Sequence, residues 1–567
     1  VVTVRPVEAT PVHSATKRIS PCRHELIEIQ RSIMEKLKAE IRMSLGQPSK
    51  EMKRYLDAYN KEFKRYVRCS SMRELVAAVR RADIVYNGDY HTLAQAQRIP
   101  LRILREVVAR RPDITLAVEL VKIEDQPVLD RFMAGELSED QFLESIDYYR
   151  TWGFPWENYR DLFIFARERG IRVIGINTQP KKGRGALKRR DRAAARVIAK
   201  EYLARRGNLL YVFDGDLHVA PAHLPREVDA ILAGSGLLPE TVIVYQNNEN
   251  IYWKLARKGL EQETDVVLIS KNRFCVMSTP PMIKFQSYFN WIENTRELRS
   301  PHPPSWRAYL AGDSDLYRQV SELVSMICKF LQIEVAGLDD FVVYSAADLD
   351  FLDHLKRRQE LTPSEVATIA THIRANESYF IEKGSIIYIA NLSINHAAEE
   401  ATHFIHKVCA GPRRTDLNQL EDFYCRVMRE TVGFFGSKIV NHKRHCYGAE
   451  DFRNLKRKHP TTPPDRIAEL AQVGRLLRRH KKCERRFLRD GTVWGLDDPM
   501  YAQPLAIHIG LTHALGYMLG DHLFEGVMSG AIEKALVRDL FFMNFSDLEE
   551  SFGTYLDLAS GIPEDCL

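Results

Sequence analysis

The chain has 567 residues, 45% hydrophobic and 28% charged, values that suit folded domains and exclude a disordered, collagen-like or disulfide-scaffold protein. Its length exceeds one compact core and predicts two or three domains. A net charge of +6 is too mild to demand an anionic partner, and no nucleic-acid partner is expected.

The nine cysteines form no CxxC pair and read mostly as buried, reduced thiols. No apolar run approaches the roughly eighteen residues of a membrane span, so no transmembrane helix is expected. The opening VVTVRPVEATPVHS has no hydrophobic signal core. A cytoplasmic location is expected, with the cell envelope as the alternative if a leader has been removed.

In chain order, Arg23 to Leu45 carries apolar residues at helical spacing, and KEMKRYLDAYNKEFKRYVR continues the pattern. Residues 1–70 therefore read as a helical N-terminal segment. Four short apolar runs follow, Ile84–Tyr86, Ile114–Val118, Val173–Ile176 and Leu209–Phe213, with helical sequence between them. Such continuous runs predict an α/β fold: a mostly parallel sheet flanked by helices over residues 71–295. Thr241–Tyr245 adds a strand, and Val266–Ile269 with Phe274–Met277 predicts a hairpin turning at Lys271-Asn272. The prolines of Arg299–Pro304 mark a boundary, beyond which residues 306–567 read as a mainly α-helical domain. That domain has one strand candidate at Ser385–Ala390 and a break at His459–Pro464.

Each of the four strands runs directly into polar residues: Asn87-Gly88-Asp89-Tyr90-His91, Glu119, Asn177-Thr178 and Asp214-Gly215-Asp216-Leu217-His218. Open parallel sheets bind ligands outside the carboxyl ends of their strands, so these side chains are expected to converge on one crevice. Two Gly-x-x-His copies sharpen this expectation, glycine permitting a tight exit turn and the histidine facing back over the sheet edge. His91, His218 and Glu119 make an N/N/O ligand set for a divalent transition metal such as Mn, Co, Zn or Fe. Asp89 and Asp216 are candidates to orient the imidazoles, to join the ligands, or to take a proton from metal-bound water. Histidines that merely cap strand ends are the plain alternative.

Gly88-x-x-His91, Glu119 and Gly215-x-x-His218 resemble the superfamily of ChaN haem-binding proteins, Tiki proteases and erythromycin esterases. The ChaN branch is most similar, through Leu129–Leu143, Trp152-Gly-Phe-Pro-Trp156, Tyr159 and Phe165–Gly170. The resemblance implies a haem or metal site and a haem, small-molecule or peptide ligand. It also implies either haem and iron handling or a metal-dependent hydrolase using the same residues. The first motif is GDYH where ChaN-like sequences usually carry Glu after the glycine, which withdraws that carboxylate by one methylene. Family haem binding is attributed to tyrosine, for which Tyr90 is the candidate. Asn177 stands as a further cofactor-binding candidate, and Arg192, after the basic loop Lys181–Arg190, as a clamp for a carboxylate or propionate. A solvated helix start capped by Asp191 is the alternative there. Trp152, Phe154, Trp156 and Tyr159 divide between cleft lining and core.

In the C-terminal half, Glu399, His403 and His406 fall on one helical face, with His396, Glu400 and His403 on an overlapping one. Helix-borne metal sites use such spacing, although a capped polar helix explains it too. Gly516 and Gly520 predict close helix packing or a homodimer contact. The basic run Arg475–Arg489 reads as a solvated face. A scaffold whose strand-end site has lost its chemistry is the third functional reading.

Overall fold

The computed structural model describes residues 19–178, 185–297, 316–345, 361–374, 377–390, 393–414, 417–455, 464–491 and 498–560. The expected boundary at Arg299–Pro304, residues 181–184 of the basic loop, and the break at residues 459–463 lie outside them. Two compact units are present, one of residues 34–292 and one of residues 19–33 with 293–567. The helix Pro21–Leu45 is divided between them, so the N-terminal segment is not a unit of its own.

The first unit is built on eight strands: β1 (Arg68–Ser70), β2 (Ile84–Asp89), β3 (Ile114–Lys122), β4 (Arg172–Asn177), β5 (Leu209–Gly215), β6 (Thr241–Gln246), β7 (Val266–Ser270) and β8 (Arg273–Val276). Their order across the sheet is β1-β7-β8-β6-β2-β5-β3-β4. From β8 to β4 neighbouring strands run parallel, and only β7 is reversed, pairing antiparallel with β8 and β1. Every residue of β2 and β5 is buried, as expected of strands covered on both faces. The hairpin turns where expected, and Asn272 takes the left-handed conformation (φ 58°) that asparagine tolerates. The short β1 was not anticipated, since three residues carry no periodic signal.

Two features of the sheet position the site. In the β2–β5 ladder Gly88 stands opposite Asp214 and Asp89 opposite Gly215, so the two Gly-x-x-His motifs leave adjacent strands one residue out of step. In the β3–β4 ladder the register shifts between Val118 and Lys122. Glu119 was expected to follow the strand; it lies within β3, at an irregularity that re-aims its side chain.

The second unit is largely helical, with a small sheet in the order β10 (Tyr379–Ile381), β11 (Ile386–Ile389), β9 (Val342–Ser345). The single strand expected here corresponds to β11. No helix among the described residues is long and apolar enough to cross a membrane.

Candidate functional site

The polar residues meet at the carboxyl ends of four consecutive strands, β2, β5, β3 and β4. Glu119, Asp214 and His218 each offer a ligand atom within 4.8 Å of the others, and all three are buried. His91 adds its Nε2, 3.6 Å from Glu119 Oε2, and its side chain is the most open of the group at 24% exposure. Sequence reasoning had placed His91, Glu119 and His218 together; Asp214, taken only as part of the second motif, is the ligand-type residue it passed over.

Each imidazole is fixed through its Nδ1. His91 Nδ1 lies 2.8 Å from Asp89 Oδ2, which also accepts from Tyr159 Oη at 2.9 Å, while Gln97 donates to Asp89 Oδ1 at 2.6 Å. His218 Nδ1 lies 2.6 Å from Asp191 Oδ1, and Tyr55 donates to Asp191 Oδ2 at 3.0 Å. With Nδ1 engaged, each ring keeps Nε2 as the nitrogen available to a ligand. Tyr55 comes from the helix Lys50–Lys61, outside the segment expected to form this domain, and its ring also stacks on His223 at 3.5 Å.

Both motif glycines answer to close approach; neither takes the positive φ of a tight turn. A β-carbon at Gly88 would lie 2.1 Å from Asp216 Oδ1. One at Gly215 would lie 3.3 Å from Glu119 Oε2, 3.3 Å from His218 Cδ2 and 3.4 Å from His91 Nε2. Gly215 thus floors a small chamber walled by the three ligand-type residues. Its own amide donates to Glu119 Oε2 at 2.8 Å.

The charges are unequal. Burial opposes ionisation of Glu119, yet Arg190, His91 and His218 hold it well below the ordinary carboxylate range. Burial and the adjacent Glu119 push Asp214 the opposite way, favouring its protonated form. Both histidines are raised against the pull of burial, His91 by Asp89 and Glu119 and His218 by Asp214, Asp191 and Glu119. Metal binding at these groups would displace whatever protons they carry.

Of the other expected site residues, Asp89 and Asn177 border the group, while Asp216, Tyr90 and Arg192 make contacts of their own. Asp216 is bound by Tyr59 Oη and by the Gln246 amide at 3.3 Å, facing away from the chamber. Asp89 is bound by His91, Gln97 and Tyr159. The Tyr90 ring lies against Lys284 (4.4 Å) and Tyr288 (6.1 Å between centroids), with no contact to the cluster among those the structure records. Arg192 points outward to Glu227 at 3.2 Å, and Arg190 is the arginine that reaches Glu119. Asn177 accepts from Arg190 at 3.3 Å, at the edge of the group. Trp152 and Phe154 flank His91 at 4.7 and 5.0 Å, whereas Trp156 and Tyr159 are core residues.

Residues 75–189 match the family model described as haem-binding uptake, Tiki superfamily, ChaN, and this segment carries a domain of that family. Among solved structures the chain is similar to ChaN of Campylobacter jejuni, described with cofacial heme bound. That likeness is 12% in sequence, covers 32% of this chain and 87% of the other, and has a TM-score of 0.25. No curated protein matches the chain.

Proposed function

We propose that the ChaN-type domain of this chain binds a divalent transition metal at its strand ends, with Glu119, Asp214, His218 and His91 as ligands. The observation that carries this reading is the pair of carboxylate-held imidazoles, Asp89 with His91 and Asp191 with His218, arranged around a buried carboxylate. Metal-binding histidines are commonly fixed in this way, which sets the tautomer and raises ligand basicity. The chamber over Gly215 supports the fit, because any side chain there would fill the space between the donors. Two imidazoles with two carboxylates suit Mn, Fe, Co or Zn. When bound, such an ion would polarise an oxygen donor and lower the pKa of coordinated water. Arg190 tempers the charge of Glu119, and Gly215 excludes bulk from the chamber.

Haem is the second reading, supported by the family description and by Trp152 and Phe154 beside His91, where a flat ring would stack.

The test is metal analysis and haem titration of the purified chain beside a His91→Ala/His218→Ala variant. One equivalent of metal held by the parent and lost from the variant is the expected result. A Soret shift on adding haem, weakened by His91→Ala, would support the second reading. A parent chain that takes up neither would end both.

A further inference from the structure

The second unit carries its own cluster of ligand-type residues, at the approach of three helices. The helix Ile394–Ala410 supplies Glu399, Glu400 and His403, the helix Gln419–Val440 supplies Glu430, and the helix Leu505–Ser529 supplies His513. Glycines set the spacing. A β-carbon at Gly516 would lie 2.5 Å from Glu430 Cβ and 2.7 Å from Val427 O, and one at Gly520 would lie 2.5 Å from Thr431 O. The close approach expected of Gly516 and Gly520 is thus used within the chain.

Glu399, His403 and Glu430 each present a ligand atom within 4.8 Å of the others. Two of the buried atoms have no hydrogen-bond partner among the described residues: His403 Nε2 and Glu430 Oε2, which face each other at 3.9 Å. His403 is only 8% exposed. Two unpaired buried polar atoms directed at one point are destabilising on their own, and a cation between them satisfies both. The remaining atoms of these side chains are tied down. His403 Nδ1 lies 3.2 Å from Glu400 Oε2, Glu430 Oε1 lies 3.3 Å from His513 Nε2, Glu399 Oε2 takes Arg444 Nη2 at 2.7 Å, and the Glu399 carboxylate also hydrogen-bonds Tyr517. Glu400 thereby fixes the ring so that Nε2 is the ligand atom, as carboxylates do for metal-bound histidines. His406, expected on the same face, turns away and bonds Met543 O at 2.9 Å.

We infer that the helical unit holds a second divalent transition metal ion, bound by Glu399, His403 and Glu430 and positioned by Glu400, His513 and Arg444. Two carboxylate oxygens and one imidazole, without a thiolate, select Mn(II), Fe(II) or Zn(II) over soft ions such as Cu(I). Helix bundles build carboxylate-histidine metal sites from facing helices in this manner. The inference does not depend on the strand-end site.

The experiment uses the full chain carrying His91→Ala and His218→Ala, titrated with Co(II) as the spectroscopic probe. One bound equivalent is expected, with X-ray absorption giving one imidazole and otherwise oxygen ligands. Glu430→Gln, nearly isosteric, should weaken binding at least tenfold. Gly433→Ala keeps every ligand but would put a β-carbon 2.3 Å from His403 Nε2, and it should weaken binding likewise. Helix content by circular dichroism verifies that each variant is folded. Should either fail to fold, the ligand shell of the parent titration decides alone. No Co(II) uptake below millimolar, an affinity unmoved by both substitutions, or a shell with sulfur or without imidazole would overturn the inference.

Discussion

Asp191 Oδ1 lies 2.6 Å from His218 Nδ1. The bond ties an imidazole at a strand end to the first turns of the helix Ala186–Ala204, and its strength lies in fixing which ring nitrogen faces the chamber. Asp191→Ala should weaken metal binding at the strand ends by about 10–100-fold, the range for lost partners of metal-bound histidines. Competition against a chelator measures this, and an unchanged affinity would remove Asp191 from the site.

Gly215→Ala separates binding from folding. The backbone of Gly215 suits any residue, and the added methyl meets neighbours at 3.3–3.4 Å, so stability should change by no more than about 1 kcal/mol. The same methyl enters the chamber, and metal uptake should fall at least tenfold. Thermal unfolding and metal titration on one sample read both quantities; normal uptake would place the ion elsewhere.

Arg190 pairs with Glu119, the carboxylate proposed as a metal ligand. Replacing it with Met removes the arginine partner of a buried carboxylate, which should destabilise the metal-free protein by about 2–3 kcal/mol, below the range for fully buried pairs because Arg190 is partly exposed and His91 and the Gly215 amide remain. Affinity for a divalent ion should rise several-fold. Arg192→Ala, which breaks only the exposed pair with Glu227, should alter neither quantity. Equal effects from the two arginines would contradict the assignment.

Asp422 gives the second unit an acid-sensitive element. Burial opposes its ionisation, but His508 (3.4 Å), Arg426 (2.8 Å) and Arg413 hold it well below the usual carboxylate value. The folded-state value lies below the unfolded value of about 3.9, so the stabilisation is fully present above that pH and is lost as pH falls. Asp422→Asn should lower stability by about 2 kcal/mol at pH 7. The gap from the parent should close by about 1.4 kcal/mol per pH unit below 4. Denaturant unfolding across pH 2–7 checks this, and a constant gap would show that Asp422 acts through packing alone.

The α/β fold was legible because β2, β3 and β5 are buried on both faces and write uninterrupted apolar runs into the sequence. Convergence of His91, Glu119 and His218 followed from strand polarity alone. The misses have geometric causes. Asp214 sits inside β5, where only the register with Gly88 reveals its direction. Arg192 was named through the Asp191-Arg192 pair at an expected helix start; the helix opens at Ala186 instead, and two residues along a helix rotate a side chain by about 200°. Tyr55 reaches His218 across 163 residues, a contact that local pattern cannot report. The recurrence of Tyr55, Tyr59 and Phe63 at intervals of four was the available signal of an aromatic stripe facing the domain.

The strand order has a further consequence, for the growing chain. β5 lies between β2 and β3 although it is made after both, so a nascent chain ending before Leu209 has those two strands with no partner between them. Their facing edges stay open to mispairing until the fifth strand inserts. That same insertion delivers Asp214, Gly215 and His218, so the sheet cannot close without also completing the cluster at its strand ends.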